Sequence, residues 1–159
     1  MQYDFEHQVL IGTILGGSSL ARPPKGRNFY ISMRSKNARW LKYKMAEMPS
    51  FFKDQKVRLY NGTYRANSSC LPRLTEIWEE LYRGNERNIS MPILDSLRDI
   101  GIAVWFIDGG SKAGRGKKNA YINTTKFREE GTRTILQYFN EVGMSCNINR
   151  GKSSSNMEQ

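Results

Sequence analysis

The charged side chains of this chain are placed where they could bind phosphate. Among its 159 residues, 25 Lys and Arg stand against 15 Asp and Glu, which gives a formal net charge of +10. Every charged residue between Arg22 and Lys44 is basic, and the same holds between Lys112 and Lys118. Basic residues gathered in this way are the electrostatic footprint of a surface that binds nucleic acid.

Zinc chemistry and membrane insertion find no support in the sequence. Cys70 and Cys146 lack the spacing of metal ligands, and His7 is the single histidine. No apolar run approaches the roughly 18 to 20 residues of a membrane span. Asp4 and Glu6 near the N-terminus also argue against a transit peptide.

Two ten-residue segments form an internal repeat. They are Leu10–Ser19 (LIGTILGGSS) and Ile102–Ser111 (IAVWFIDGGS), 92 residues apart. A repeat at this spacing predicts a pseudo-twofold protein whose halves meet along paired helices. Gly12 inside a helix costs roughly 1 kcal/mol relative to Ala, which makes sense if another helix backbone approaches it closely. Val104 at the matching position of the second copy predicts a looser contact there.

Hydrophobic periodicity predicts an α+β fold of two halves, 1–90 and 91–159, the second one short. Asp4 is expected to cap a helix over 5–16, and Asn61-Gly62 to turn a hairpin with Leu59 facing inward. The other helices are predicted over 37–48, 74–82, 91–98, 100–107 and 128–142. Strands are predicted over 28–34, 56–60, 63–68, 119–125 and 145–150, and loop tips over 18–27 and 112–118.

The repeated segments resemble the signature of the LAGLIDADG homing endonucleases. The segments NFYIS, VRLYNGTYR, LTEIWEELY, SLRDIGIAVWFIDGGS and INTTKF extend the resemblance over nearly the whole chain. It implies two αββαββα-like halves with paired central helices and a β-saddle in a single-chain monomer. It also implies Mg²⁺-dependent, site-specific cleavage of double-stranded DNA of the intron or intein homing type. The expected location is intracellular: bacterial or phage cytoplasm, mitochondrion or chloroplast.

The chain departs from the family at the catalytic positions. Gly17 and Gly109 stand where the resemblance places the two metal-binding aspartates. Asp108 is a possible substitute, although that position chiefly lends a backbone carbonyl in the family. We therefore expect no retained metal site, no productively bound Mg²⁺ and no cleavage. Either deliberate replacement or natural loss explains the two glycines, and restoring both aspartates should restore cleavage if nothing else is lost.

The predicted recognition surface is a saddle of two or more strands from each half, lying along a DNA major groove. Basic residues in the loop tips are expected to hold phosphates. The strand-face candidates are Asn28, Tyr30, Ser32, Arg34, Arg58, Tyr60, Arg65, Asn119, Tyr121, Asn123, Asn147 and Asn149. The loop candidates are Arg22, Lys25, Arg27, Lys112, Arg115, Lys117 and Lys118.

A second hypothesis is a non-catalytic RNA-binding protein derived from the same fold, such as an intron maturase or a ribosome-associated subunit. Structured RNA in the A form hides its major groove from side chains. Such a protein is expected to use its loops and basic edges more than its strand faces.

Overall fold

The computed structural model describes residues 4–116 and 118–150, so Lys117 lies outside the described residues. Seven helices and eight strands follow one another in the described chain. The helices are α1 (Phe5–Leu15), α2 (Ala38–Glu47), α3 (Pro49–Phe52), α4 (Pro72–Leu81), α5 (Met91–Asp95), α6 (Asp99–Gly109) and α7 (Glu129–Glu141). The strands are β1 (Ser19–Ala21), β2 (Tyr30–Ser35), β3 (Arg58–Tyr60), β4 (Thr63–Asn67), β5 (Tyr82–Arg83), β6 (Glu86–Arg87), β7 (Gly110–Lys112) and β8 (Ala120–Ile122). None of the described helices is long and apolar enough to cross a bilayer.

Helices α1 and α6, the two repeated segments, pack against each other at the centre of the fold. The approach is so close that a Cβ atom on Gly12 would overlap the carbonyl oxygen of Gly101. This confirms that Gly12 serves a backbone-to-backbone contact. The partner of Gly12, however, is Gly101. Val104 packs beside Gly101, and its Cβ atom lies 2.9 Å from the position that a Cβ atom on Gly12 would occupy. The expectation of a looser contact at Val104 is therefore wrong.

The first half builds a four-stranded antiparallel sheet in the order β1-β2-β4-β3. Ile31 and Met33 point into the core from β2, as their alternation with polar neighbours predicts. Asn61 and Gly62 take positive φ angles of 48° and 73° in the turn between β3 and β4, as a tight hairpin requires. Two expectations fail: β1 pairs within the predicted loop 18–27, and Leu59 is 64% exposed. The short strand β3 lies at the sheet edge, where nothing covers Leu59.

The described part of the second half contributes only the separate hairpin β7-β8. Two or more strands from each half are present, as predicted, but they form separate sheets: all four strands of the larger sheet come from the first half, and β7 and β8 pair only with each other. The predicted strand 145–150 is also absent: residues 145–150 are exposed and have no strand partner in the described chain. Alternation of Cys146 and Ile148 with polar residues cannot make a strand without an edge to pair with.

One hydrophobic core joins both halves. Trp105 of α6 is completely buried and packs near Phe139 of α7, with 5.6 Å between the ring centroids. The same core includes Leu10 and Ile14 of α1 and Met33 of the sheet. The division into 1–90 and 91–159 remains a prediction; the elements before and after α5 share this core.

Candidate nucleic-acid interface and the ends of the paired helices

Asp108 lies near the end of α6 and is tied to helix α2. The indole Nε1 of Trp40 donates a hydrogen bond of 2.6 Å to Oδ1 of Asp108. The ammonium group of Lys44 donates one of 2.6 Å to Oδ2. A carboxylate that is already paired with a buried cation has little attraction left for a metal ion. The role of Asp108 as a substitute ligand stays a prediction, and this geometry argues against it.

Gly17, at the end of the first repeated segment, is bound by a lysine of the second half. The Nζ atom of Lys126 donates a hydrogen bond of 2.8 Å to the carbonyl oxygen of Gly17. The φ angle of Gly17 is +128°, which favours glycine, and a Cβ atom there would lie 2.9 Å from the same Nζ. An ammonium group thus lies where a side chain on this residue would begin.

Gly109, at the corresponding end of α6, packs on the backbone of α1. A Cβ atom on Gly109 would lie 3.0 Å from the carbonyl oxygen of Gly16 and 3.1 Å from its Cα. The carbonyl oxygen of Gly109 accepts a 2.9 Å hydrogen bond from the backbone N–H of Asn123, which fastens α6 to the strand β8. The two helix ends therefore differ in their surroundings: one meets a lysine, the other a backbone.

Two further cations surround the end of α1. Arg87 donates hydrogen bonds to the carbonyl oxygens of Ile14 (3.0 Å) and Ser18 (2.6 Å). Partial burial lowers the pKa of Lys126, and the charges of Arg87 and Arg34 lower it further. Arg87 and Lys126 therefore contact carbonyl oxygens at and just beyond the end of the first helix, and the charge of Arg34 acts on Lys126.

The donor set at these helix ends does not fit a divalent cation. Mg²⁺ and Ca²⁺ require oxygen ligands, chiefly carboxylates. Gly17 and Gly109 have no side chain to offer, and Asp108 is paired with Lys44. No group of three or more His, Cys, Asp or Glu that could hold a metal occurs in the described part of the chain.

Three arginines form a row across the open face of the larger sheet. Arg34 of β2 stands directly opposite Arg65 of β4, and Arg65 stands opposite Arg58 of β3. Residues directly opposite each other point to the same face, and like charges in such a position destabilise a sheet. Tyr60 partly offsets this repulsion, because the guanidinium of Arg65 lies 4.5 Å from its ring centroid. The buried Nε atom of Arg65 has no hydrogen-bond partner among the described residues.

Most of the other candidate residues are placed where they can reach a ligand. Ser32 stands opposite Ser19 and Asn67 on the same open face as the arginines. The side chain of Asn28 instead accepts a hydrogen bond from the hydroxyl of Thr75. Asn147 and Asn149 are exposed but lie on no strand, so the structure does not bring them to the sheet. Exposed or half-buried positions are also taken by Arg22, Lys25, Arg27, Tyr30, Lys112, Arg115, Lys118, Asn119, Tyr121 and Asn123.

Sequence reasoning missed the cations that surround the helix ends. Lys126 directly follows the predicted strand 119–125, and a basic residue at that strand end was the one available signal. Arg87 lies in the short β5-β6 hairpin, for which no periodicity gave a prediction. Lys44 has the sequence context of a helix-surface lysine, yet its side chain is buried and bonded to Asp108 of α6.

Comparison with known proteins places this architecture in a family. The sequence profile described as the LAGLIDADG DNA endonuclease family matches residues 7–158. A protein named RecA from Mycobacterium shimoidei is 26% identical over 112 residues, which are 68% of this chain and 26% of that protein. A RecA from Mycolicibacterium fallax is 29% identical over 119 residues, 72% of this chain and 28% of the relative. The chain thus corresponds to about a quarter of the length of these relatives.

Solved structures share the fold at low sequence identity. The homing endonuclease I-WcaI bound to its DNA recognition sequence superposes with a TM-score of 0.74 at 17% identity, over 87% of this chain and 67% of that one. I-DmoI in complex with DNA and Mn gives a TM-score of 0.57 at 13% identity, over 89% of this chain and 80% of that one. I-DmoI has also been solved with DNA and Ca, with a TM-score of 0.51 at 15% identity over 90% and 74% of the two chains. These likenesses establish the α+β fold with its two paired helices.

Proposed function

Because this chain belongs to the LAGLIDADG DNA endonuclease family, we propose that it binds double-stranded DNA at a specific site and cuts neither strand. The binding surface is the open face of the sheet β1-β2-β4-β3 with the basic loops around it. The protein acts as a single chain whose two unequal halves meet along α1 and α6. Its expected compartment is the bacterial or phage cytoplasm or an organelle.

The observation that carries the binding proposal is the arginine row Arg34–Arg65–Arg58. Three guanidinium groups in register have no carboxylate on the neighbouring strand positions to neutralise them. Such an array is costly in the free protein and is relieved by an anionic partner. Arginine forks also match the O6 and N7 acceptors of guanine in the major groove, so the same row can read sequence. This strand-face chemistry favours B-form DNA over A-form RNA.

Loss of cleavage follows from the chemistry at the two helix ends. Hydrolysis of a phosphodiester by metal-activated water requires ligands that bring the metal to the scissile phosphate. The two symmetric positions, Gly17 and Gly109, supply none, and Asp108 is held by Lys44 and Trp40. We accordingly expect Mg²⁺ not to bind productively, although I-DmoI was solved with Mn and with Ca.

The test has a binding arm and a cleavage arm. A library of randomised DNA duplexes is selected on the immobilised protein in EDTA, and enrichment of one sequence is expected. A supercoiled plasmid carrying that sequence is then incubated with Mg²⁺ or Mn²⁺ and is expected to stay supercoiled. An A-form RNA duplex of the same sequence serves as the comparison ligand and is expected to bind more weakly.

Each arm can overturn its own part of the proposal. Recovery of no preferred sequence, or tighter binding of the RNA duplex, contradicts site-specific DNA binding. Nicked or linear plasmid contradicts the loss of cleavage, and Asp108→Asn is then the first variant to assay.

A further inference from the structure

The cations at the end of α1 form a site for an anion. Three carbonyl oxygens at or just beyond the end of this helix, those of Ile14, Gly17 and Ser18, each accept a hydrogen bond from a cationic side chain. Arg87 uses two of its N–H groups there, whereas Lys126 uses one of its three. Lys126 is exposed, so its remaining N–H donors are available to a ligand.

The charge around Lys126 is unbalanced. Partial burial and the neighbouring Arg87 and Arg34 all lower its pKa, and no carboxylate of the described residues acts on it to raise the value. A bound anion would reverse the effect, because it stabilises the charged form of the lysine. Lys126 therefore gains more from an anionic partner than an isolated surface lysine does.

Arg34 connects this cluster to the arginine row of the sheet. Arg34 lies in β2 opposite Arg65 of β4, and its charge acts on Lys126. A duplex lying on the open face and held by the row would carry its backbone past the end of α1. The ligand with the matching chemistry is therefore a DNA phosphate group.

Building on the DNA binding proposed above, we propose that the Lys126 ammonium group, supported by Arg34 and Arg87, binds a backbone phosphate at the end of α1 and makes divalent metal unnecessary for DNA binding. The Lys126 ammonium group lies where an aspartate in place of Gly17 would hold a divalent metal ion. The lysine thus supplies the positive charge that a metal ion would otherwise bring. At the end of α6, the atoms nearest to a Cβ on Gly109 belong to the Gly16 backbone and not to a lysine, so the anchor serves one strand. It holds a phosphate but supplies neither a base nor an activated water.

Binding of a fluorescent duplex carrying the selected site tests this directly. The wild type is expected to bind equally well in EDTA and in Mg²⁺ at matched ionic strength. Lys126→Met is expected to weaken binding several-fold and to reduce the slope of log K against log salt by about 0.9, the value for one phosphate contact. Lys42→Met, an exposed lysine on α2, is the matched control and should change neither quantity.

A measurement on the wild type tests the proposal even if the variant fails to fold. The ¹³Cε resonance of Lys126 is titrated with pH in the free protein and in the DNA complex, and its pKa is expected to rise in the complex. An unchanged pKa, an unchanged salt slope in Lys126→Met, or binding that requires Mg²⁺ overturns the proposal while DNA binding itself stands. Failure of the wild type to bind any duplex contradicts the proposed function instead.

Discussion

Lys44 of α2 and Asp108 of α6 form a salt bridge of 2.6 Å although the lysine side chain is only 1% exposed and the aspartate 13%. Burial lowers the pKa of Lys44, and Asp108 opposes this shift through its charge and hydrogen bond. The pair joins a helix of the first half to the end of the second motif helix. Asp108 thus connects α2 to α6, next to the position where the family resemblance places a metal-binding aspartate.

Replacing Asp108→Asn should therefore destabilise the fold. Asparagine keeps an acceptor for Trp40 but leaves the buried Lys44 ammonium without a counter-charge. Breaking such a pair on one side costs about 3 to 5 kcal/mol of unfolding free energy, measured by urea denaturation. The control Glu76→Gln removes an exposed partner of Arg73 and should cost less than about 1 kcal/mol. Equal, small losses in both variants would show that the pair contributes little.

Arg65, the centre of the arginine row, should contribute to sequence recognition as well as to affinity. Arg65→Ala is expected to weaken binding of the selected duplex by about 1 to 3 kcal/mol. Arg65→Lys keeps the charge but loses the planar fork, so it should bind with relaxed preference at one base pair. Competition with single-base variants of the duplex measures this. Arg73→Ala on α4 is the control, and a uniform loss across all sequences would indicate a phosphate contact instead.

The contact between Gly12 and Gly101 should tolerate no added methyl group. A Cβ atom on Gly12 would overlap the Gly101 carbonyl oxygen, so Gly12→Ala must push the central helices apart. Overpacking of this kind typically costs about 1 to 3 kcal/mol. Gly131→Ala in α7 is the matched control, because its nearest neighbours are side chains at 3.0 and 3.1 Å. Thermal unfolding compares the two, and the inference of helix contact fails if Gly12→Ala is the more stable.

Restoring both carboxylates should not be enough to restore cleavage, because the surroundings of both positions hinder an aspartate as well. Gly17→Asp places an L-residue at a φ angle of +128°, beside the Lys126 ammonium. Gly109→Asp requires the Gly16 backbone to move by a few tenths of an ångström. We expect the double variant to leave a plasmid with the selected site uncut in Mg²⁺, as does the control Gly17→Asn with Gly109→Asn. Cutting by the aspartate variant alone would show that only the two carboxylates had been lost.

His7 should make the stability of the protein depend on pH just below neutrality. Burial lowers its pKa from 6.5, and Arg73 lowers it further, against the charges of Asp4 and Glu80. The unfolded chain therefore binds the proton more tightly, so stability falls as the pH decreases from 6.5 to the lowered pKa. The difference in unfolding free energy between wild type and His7→Gln, followed from pH 7.5 to 5, reports this. A flat difference would contradict it.

Elements that have local causes were predictable from the amino-acid sequence. Asp4 accepts a hydrogen bond from the Glu6 backbone as the cap of α1, and Asn61-Gly62 turns the β3-β4 hairpin. The repeated segments specified the paired helices because their apolar residues and glycines can be buried only against a similar surface. The sequence also showed that Gly17 and Gly109 supply no carboxylate.

Tertiary structure alone decided which groups surround those positions. Lys126 is 109 residues from Gly17 and Lys44 is 64 residues from Asp108, so no local pattern could pair them. The arginine row likewise depends on strand register, which aligns Arg34, Arg65 and Arg58 only after two pairings form. The segment 145–150 shows that a local pattern is not enough. Its polar and apolar residues alternate as in a strand, but it pairs with no strand of the described chain. Contacts between distant residues are set by packing and hydrogen-bond pairing of whole elements, and these determine the charge at the site.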